Sequence, residues 1–363
     1  MNQQSQPGPF DNHDLMAEAP EARDDAVRFA FEFPELLSRF RAADAKANRA
    51  KRNNRRLGYA SVALVLAALL IASSAPVQHE LHFSKGTTIA LGYLAAGLGL
   101  LGSLLAFAGM HRRSPRRTWL HNRLTTELLR LFHFRFIASR LPEIARISGN
   151  EKRKQAYLAD RTAALARLAE RALADPQAEL ARIMANKDAC DFSDIVEQPA
   201  EGGEDSVTAK KVITAWRVLR LNWQLAYVDE MLAHRPRAQR MSVLQTEHAF
   251  SMFAWLCVGL IIALHIVQVF GEQLHLPHAW LETAVVWTAL VALAARALED
   301  GLQPQREVER YEQYRAGIRV AADRLETGDS IVEDLEVIRT FERTSLEEMW
   351  IFMRTHSRSR FML

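Results

Sequence analysis

The chain has 363 residues, 25% of them charged, with a formal net charge of +3. That length admits two or three domains, and its two cysteines, Cys190 and Cys257, are too few for a disulfide framework or a thiolate metal site. The mean hydropathy is slightly negative, but the apolar residues are gathered into separate long runs, which excludes an ordinary soluble reading.

Residues 1–25 are rich in Gln, Asn, Asp, Glu and Pro and read as a disordered tail. They contain no apolar signal-like stretch, so insertion into a membrane is expected to be driven by the first span. Residues 26–56 form a leading segment. It opens with VRFAFEFPELLSRF, in which Pro34 separates a short alternating piece from a helix. This piece either packs on a cytoplasmic region or docks on a membrane surface or partner. Arg41, Lys46, Arg49, Lys51, Arg52, Arg55 and Arg56 follow, against the single acid Asp44. Such a run can bind nucleic acid, but this one ends where an apolar run begins. The expected partner is therefore the anionic head groups of a bilayer, with this flank held in the cytoplasm and no nucleic acid bound.

Residues 57–110 read as a transmembrane hairpin. The runs Leu57 to Ala75 and Thr87 to Met110 carry no charge, and a hydrocarbon core about 30 Å thick needs roughly 20 apolar helical residues. The polar connector Pro76 to Gly86 is too short for a domain. Ala95, Gly99 and Ser103 recur every four residues along the second run, with Gly102 and Ala106 on a neighbouring strip. Small residues let another helix approach closely. That helix is either the other half of the hairpin or a second subunit, around a pore.

Residues 111–249 read as a cytoplasmic helical region. His111, Arg112, Arg113, Arg116 and Arg117 mark its inner flank. Pro115 breaks the chain as it leaves the membrane, and a helix is expected over 116–140. Trp119, Arg123 and Glu127 lie on one of its faces, and Leu120, Leu124, Leu128, Leu131 and Phe132 form an apolar stripe. One or two helices are expected over 151–187, with a break at Asp175-Pro176. Residues 188–206 read as an acidic loop. Asp188, Asp191 and Asp194 are spaced by three around Cys190, a pattern better explained by hydration than by a metal. A helix over 207–234 carries Trp216, Trp223 and Tyr227, and Arg235-Pro236-Arg237 punctuates its end.

Residues 250–298 form a second hairpin, with spans at Phe250 to Phe270 and Trp280 to Leu298 and a connector lacking Lys and Arg. His265 is a polar ring at membrane depth, which points either to a pore, gate or proton site or to a hydrogen bond with a neighbouring helix. Glu282 and Arg296 lie near opposite membrane faces and read as anchors, as do Trp255, Trp280 and Trp287. Residues 299–363 read as two charged helices, near 305–326 and 331–355, separated by Thr327-Gly328-Asp329. The expected fold class is all-α: a polytopic membrane protein with four transmembrane helices in two same-orientation hairpins and a helical cytoplasmic region. Both termini are expected in the cytoplasm. The two halves share an order of parts, which makes a parallel repeat of architecture.

The basic leading segment, the charge-free first hairpin and the helix TWLHNRLTTELLRLFHFRF, with Trp119, Arg123, Glu127, Arg130 and Phe134, resemble the SLATT family. These are the SMODS- and SLOG-associating two-transmembrane effectors of bacterial conflict systems. In the second half Gln224 and Tyr227 resemble the pattern, but the helix REVERYEQYRAGI lacks its tryptophan. The resemblance implies a homo-oligomeric effector that permeabilises the bacterial inner membrane after a signal, often a nucleotide second messenger made by a partner cyclase. No HExxH, GxSxG, P-loop or GxGxxG motif is present, so enzymatic activity, a cofactor and a metal are not expected. A non-conducting membrane scaffold or sensor is the alternative. A small-solute transporter fits less well, because the spans lack Pro-broken segments and paired charges.

Overall fold

A computed structural model describes residues 24–110, 115–147, 150–185, 207–234, 241–271, 277–328, 330–359 and 361. Residues 1–23 of the segment 1–25 expected as a disordered tail, the basic residues His111, Arg112 and Arg113, the segment 188–206 expected as an acidic loop with Asp188, Asp191 and Asp194, and Arg235-Pro236-Arg237 lie outside these. So does most of the second connector. Every regular element among the described residues is a helix. The protein is all-α and polytopic in design, and four helices among the described residues are long and apolar enough to cross a membrane.

In chain order the helices are α1 (Asp25–Phe31), α2 (Pro34–Ser73), α3 (Ala75–Glu80), α4 (Lys85–Met110), α5 (Pro115–Ser139), α6 (Leu141–Ala145) and α7 (Glu151–Leu168). They continue as α8 (Pro176–Ala185), α9 (Val207–Trp216), α10 (Trp223–Met231), α11 (Val243–Gly271), α12 (His278–Leu302), α13 (Pro304–Thr327) and α14 (Ile331–Arg358). Wider π turns follow α7 and join α9 to α10. Local chemistry explains many of the boundaries. Proline lacks an N–H and is tolerated in a first turn, and Pro34, Pro115, Pro176 and Pro304 each open a helix. The carboxylate of Asp175 accepts the N–H groups of Gln177 and Ala178 at 3.0 Å, and the Asn150 side chain accepts from Arg153 at 3.1 Å. Both are N-caps. Gln303, at φ 55°, ends α12 in a left-handed turn directly before Pro304.

The residues form two compact units, each assembled from three stretches of chain. One, the core unit, comprises residues up to Ala47, Leu120–Ser242 and Glu307–Arg354. Its interior is aromatic and aliphatic: Leu36, Leu124, Phe132, Phe134, Phe136, Trp216 and Phe341 are fully buried. Trp216 meets Phe134 and Phe341 edge-on, with centroids at 6.4 and 5.6 Å, a geometry that aromatic quadrupoles favour.

The phenylalanine-rich piece before Pro34 forms the helix α1 and packs on the core unit. Val27, Ala30 and Phe31, spaced as one helical face, are buried. The guanidinium of Arg161 donates to the carbonyls of Phe29, Ala30 and Glu32 at 3.1, 2.9 and 2.8 Å. Carbonyls at a helix end have no partner within the helix, so a distant arginine completes α1.

The second, hairpin unit comprises Asn48–Trp119, Val243–Arg306 and Thr355–Leu363. It holds the apolar part of α2 with α4, α11 and α12. The first connector is more ordered than a loop: it contains α3, a left-handed His82 at φ 55° and the first turn of α4. The end of α2 is closed by polar side chains. Ser73 and Trp287 donate to the Leu70 carbonyl at 3.2 and 3.1 Å, and Ser74 donates to Ile71 at 2.7 Å. In a bilayer, where no water reaches these groups, each such bond replaces a large desolvation penalty. Trp287, a candidate interface anchor lying deeper in its run than Trp280, donates from α12 to α2.

The two halves share an order of parts but not their continuity. In the first, the leading helix and the span are one 40-residue helix, α2. In the second, α10 ends at Met231 and the span α11 starts anew at Val243.

Candidate functional site

Within the hairpin unit, Gly99 and Gly102 of α4 face α2. Ala95 and Gly102 are buried, and Gly99 lies against Ala68. The closest approach is at Gly102, whose carbonyl accepts the Ser61 hydroxyl at 2.9 Å. A Cβ on Gly102 would sit 2.7 Å from a Val65 methyl and 3.1 Å from the Ser61 carbonyl oxygen. Ser103 does not join this face. It is exposed, and its hydroxyl donates back to Gly99 of its own helix at 2.8 Å. Gly99 and Gly102 thus lie against α2 within the first hairpin, and Ala95 is buried on the same helix. On a different side of α2, Val62 forms a small core with Ala294 and Ala297 of α12.

A short C-terminal strap closes the same unit. Arg116 donates to the Ser359 carbonyl at 2.5 Å, and the His356 ring lies 4.7 Å from that of Trp119. The Lys51 ammonium stands over Trp119 at 5.6 Å. The strap ends at Phe361, whose ring lies against both Gly58 of α2 and Gly301 of α12. A Cβ at either glycine would overlap the ring. Phe361 therefore contacts the first and fourth spans at once.

Within the core unit, Arg123 and Glu127 belong to a buried charge network. Arg123 pairs with Glu127 at 2.6 Å and reaches Asp44 at 4.0 Å, and Arg130 also bonds Glu127. Burial alone would raise the Glu127 carboxyl. The guanidinium groups of Arg123, Arg130 and Arg220 outweigh that and hold it at about 2. Arg220 grips Glu342 with two hydrogen bonds and lies between the rings of Phe134 and Phe341, 5.3 and 5.4 Å from their centroids. Nearby, His133 is held neutral: burial, then the charges of Arg161 and Arg220, lower its imidazole to about 3.

A second cluster repeats this chemistry on α13. Arg310 pairs with Glu307 at 2.8 Å and with Glu348, and stacks on Tyr311 at 4.1 Å. The Tyr227 hydroxyl meets that of Tyr311 at 3.2 Å. Burial, then the neighbouring Tyr311, raises the Tyr227 phenol. Both clusters carry a Glu and an Arg three residues apart, Glu127–Arg130 and Glu307–Arg310, on helices that follow a hairpin. This shared spacing is visible in the sequence. The partners Arg220 and Glu342 are not, because no local pattern joins them.

Of the residues singled out from the sequence, Arg123 and Glu127 are brought together, whereas Trp119 on the same helix serves the strap instead. Gly99 lies against α2, whereas Ala95 is buried on the same helix and Ser103 is exposed. His265 stands apart from all of these, exposed on α11. Glu282 pairs with His278 at 3.1 Å and Arg296 with Glu299 at 2.7 Å, each within its own helix. No group of three or more His, Cys, Asp or Glu side chains among the described residues is placed to hold a metal ion. Each carboxylate of the two clusters is engaged by guanidinium groups, so the network can fix helix register and resist rearrangement until a pair is broken. Comparison with known protein families, curated proteins and solved structures finds no match to this chain.

Proposed function

We propose that this protein is an effector of a bacterial defence or conflict system that assembles as an oligomer in the inner membrane and permeabilises it on a signal. The observation that carries this reading is how little the spans cover one another. Only 6% of the apolar window of α11 is buried within one chain, and that uncovered surface includes the polar ring of His265. Lipid tails can cover apolar side chains, but they cannot hydrogen-bond an imidazole. Basic residues on the inner flanks of both hairpins, against the single Lys85 in the first connector and none in the second, favour cytoplasmic termini.

The core unit supplies an element able to respond to a signal. Its buried ion pairs hold one arrangement tightly, and breaking one pair releases a large part of that constraint. The resemblance to SLATT effectors favours a nucleotide second messenger or a partner cyclase as the source of the signal. A hydrophobic constriction that opens by wetting would conduct without a charged lining.

The test is inducible expression in bacteria, alone and beside a nucleotide cyclase, with a potential-sensitive dye and propidium uptake as readouts. Depolarisation that precedes growth arrest supports the reading. An intact membrane potential in both settings, with the protein inserted and abundant, favours a non-conducting scaffold or sensor that couples a cytoplasmic partner to the bilayer.

A further inference from the structure

The first and fourth spans, α2 and α12, meet at three depths. Near the end of α2, Trp287 of α12 donates to the Leu70 carbonyl at 3.1 Å. Further along, Val62 packs with Ala294 and Ala297, with Leu66 and Leu298 beside them. At the end nearest the basic flank the two helices present Gly58 and Gly301, neither of which has a side chain to offer. The Phe361 ring fills that place instead. It stands where a Cβ of either glycine would be, it packs against the Val62 cluster, and Tyr59 meets it edge-on at 6.2 Å. The contact between two spans is therefore completed by a side chain that belongs to neither. Phe361 follows α14 by only three residues. That helix carries Glu342 and Glu348, which Arg220 and Arg310 hold, and its last residues, from Thr355, belong to the hairpin unit. A slip of one residue along a helix axis is about 1.5 Å. A ring packed against two glycine backbones loses much of its contact over a gap of about 0.5–1 Å, so such a slip is enough to unseat it.

We infer that the C-terminal strap is a latch. Phe361 in its seat holds the first and fourth spans together in the resting protein, and withdrawal of the strap as α14 shifts lets their inner ends part. The seat needs a glycine on each helix, because a Cβ at either position would exclude the ring. Arg116, through the Ser359 carbonyl, and Trp119, through the His356 ring, hold the strap in place on the way to that seat. The inference rests on the proposed function for what parting does to permeability, but the separation of the spans is measurable by itself.

The test uses the full chain in liposomes with no added ligand. Phe361→Ala is expected to raise ion leakage about tenfold, the population shift that loss of one partly buried ring supports. Gly58→Cys with Phe361→Cys, in a Cys190→Ala, Cys257→Ala background, replaces the ring contact by a bond that can be made and broken in one preparation. The oxidised form is expected to stay closed and to leak when reductant is added. Oxidised and reduced forms that leak alike overturn the latch. Because both forms are the same folded polypeptide, a loss of folding cannot mimic the difference. Spin labels at Leu69→Cys and Leu293→Cys, both exposed, report the distance between α2 and α12 in the same cysteine-free background. With Phe361 present one narrow distance is expected, and with Phe361→Ala a second, longer one. A longer distance without leakage from any variant keeps the latch and removes the pore. An unchanged distance overturns the latch, whether or not the chain leaks.

Discussion

Arg220 and Glu342 face each other through two hydrogen bonds of 3.0 and 3.1 Å, and each side chain is only 2% exposed. They are 122 residues apart in the chain, so the pair ties the turn between α9 and α10 to α14. A buried pair of this kind is expensive to form and more expensive to break.

Glu342→Gln is expected to destabilise the core unit by about 3–5 kcal/mol, because it leaves the Arg220 guanidinium buried without its carboxylate. The double change Arg220→Met with Glu342→Leu removes both charges and is expected to recover most of that loss. Thermal unfolding in detergent of the two single variants and the double variant checks this, and additive losses count against it.

His133 and Glu127 set the acid response of the core unit. The His133 imidazole lies at about 3 in the fold against an ordinary 6.5. Between those values the unfolded chain binds a proton that the folded chain does not. Stability therefore falls as pH falls from 6.5 toward 3, by up to about 1.4 kcal/mol per pH unit. Glu127, lowered from 4.5 to about 2, contributes fully above pH 4.5 and loses its contribution as pH falls toward 2. His133→Phe is expected to flatten the denaturation midpoint between pH 6.5 and 4.5 while leaving the loss below 4.5. An unchanged slope in the upper interval contradicts the assignment.

Gly102 and Ser103 are neighbours with opposite expectations. Gly102→Leu forces a branched side chain into the space held by Val65 and Ser61 and is expected to separate α4 from α2, with loss of folded protein from the membrane. Ser103→Ala removes only a bond to its own helix and is expected to change stability by less than about 0.5 kcal/mol. Protease resistance of membrane preparations distinguishes the two.

Phe361 predicts a coupled set. Gly301→Ala is expected to displace the Phe361 ring, and Phe361→Ala to lose about 1–2 kcal/mol of partly buried aromatic contact. In the Phe361→Ala background the added Gly301→Ala change is expected to have little further effect, since the ring it would strike is gone. Independent, additive effects in a double-mutant cycle by thermal unfolding contradict this arrangement.

The spans were legible because uncharged runs of the right length have few other uses, and the helix starts because proline and Asp or Asn caps act locally. Pro115 and Asp175-Pro176 are examples. The face of α4 was not legible in full. Gly99, Gly102 and Ser103 are all small, and only the position of α2 selects Gly102 over Ser103. The carbonyls that end the helix before Pro34 are satisfied by Arg161, well over a hundred residues away, a partner that no local pattern encodes. The same holds for Arg220 and Glu342. The Glu127–Arg130 and Glu307–Arg310 spacings, by contrast, lie within single helices that follow each hairpin, yet the sequence reading did not match the second to the first. Trp119 and Arg123 occupy one helical face by periodicity, yet they belong to different sets of partners because their neighbours come from distant stretches.

The most direct test of the central claim is ion and dye leakage from liposomes that contain the purified, inserted protein, alone and with cyclic nucleotides. The account predicts leakage: with a nucleotide only if this chain holds the sensor, or without one if a partner controls the pore. Intact liposomes under every condition, from protein shown to be folded and inserted, would contradict it.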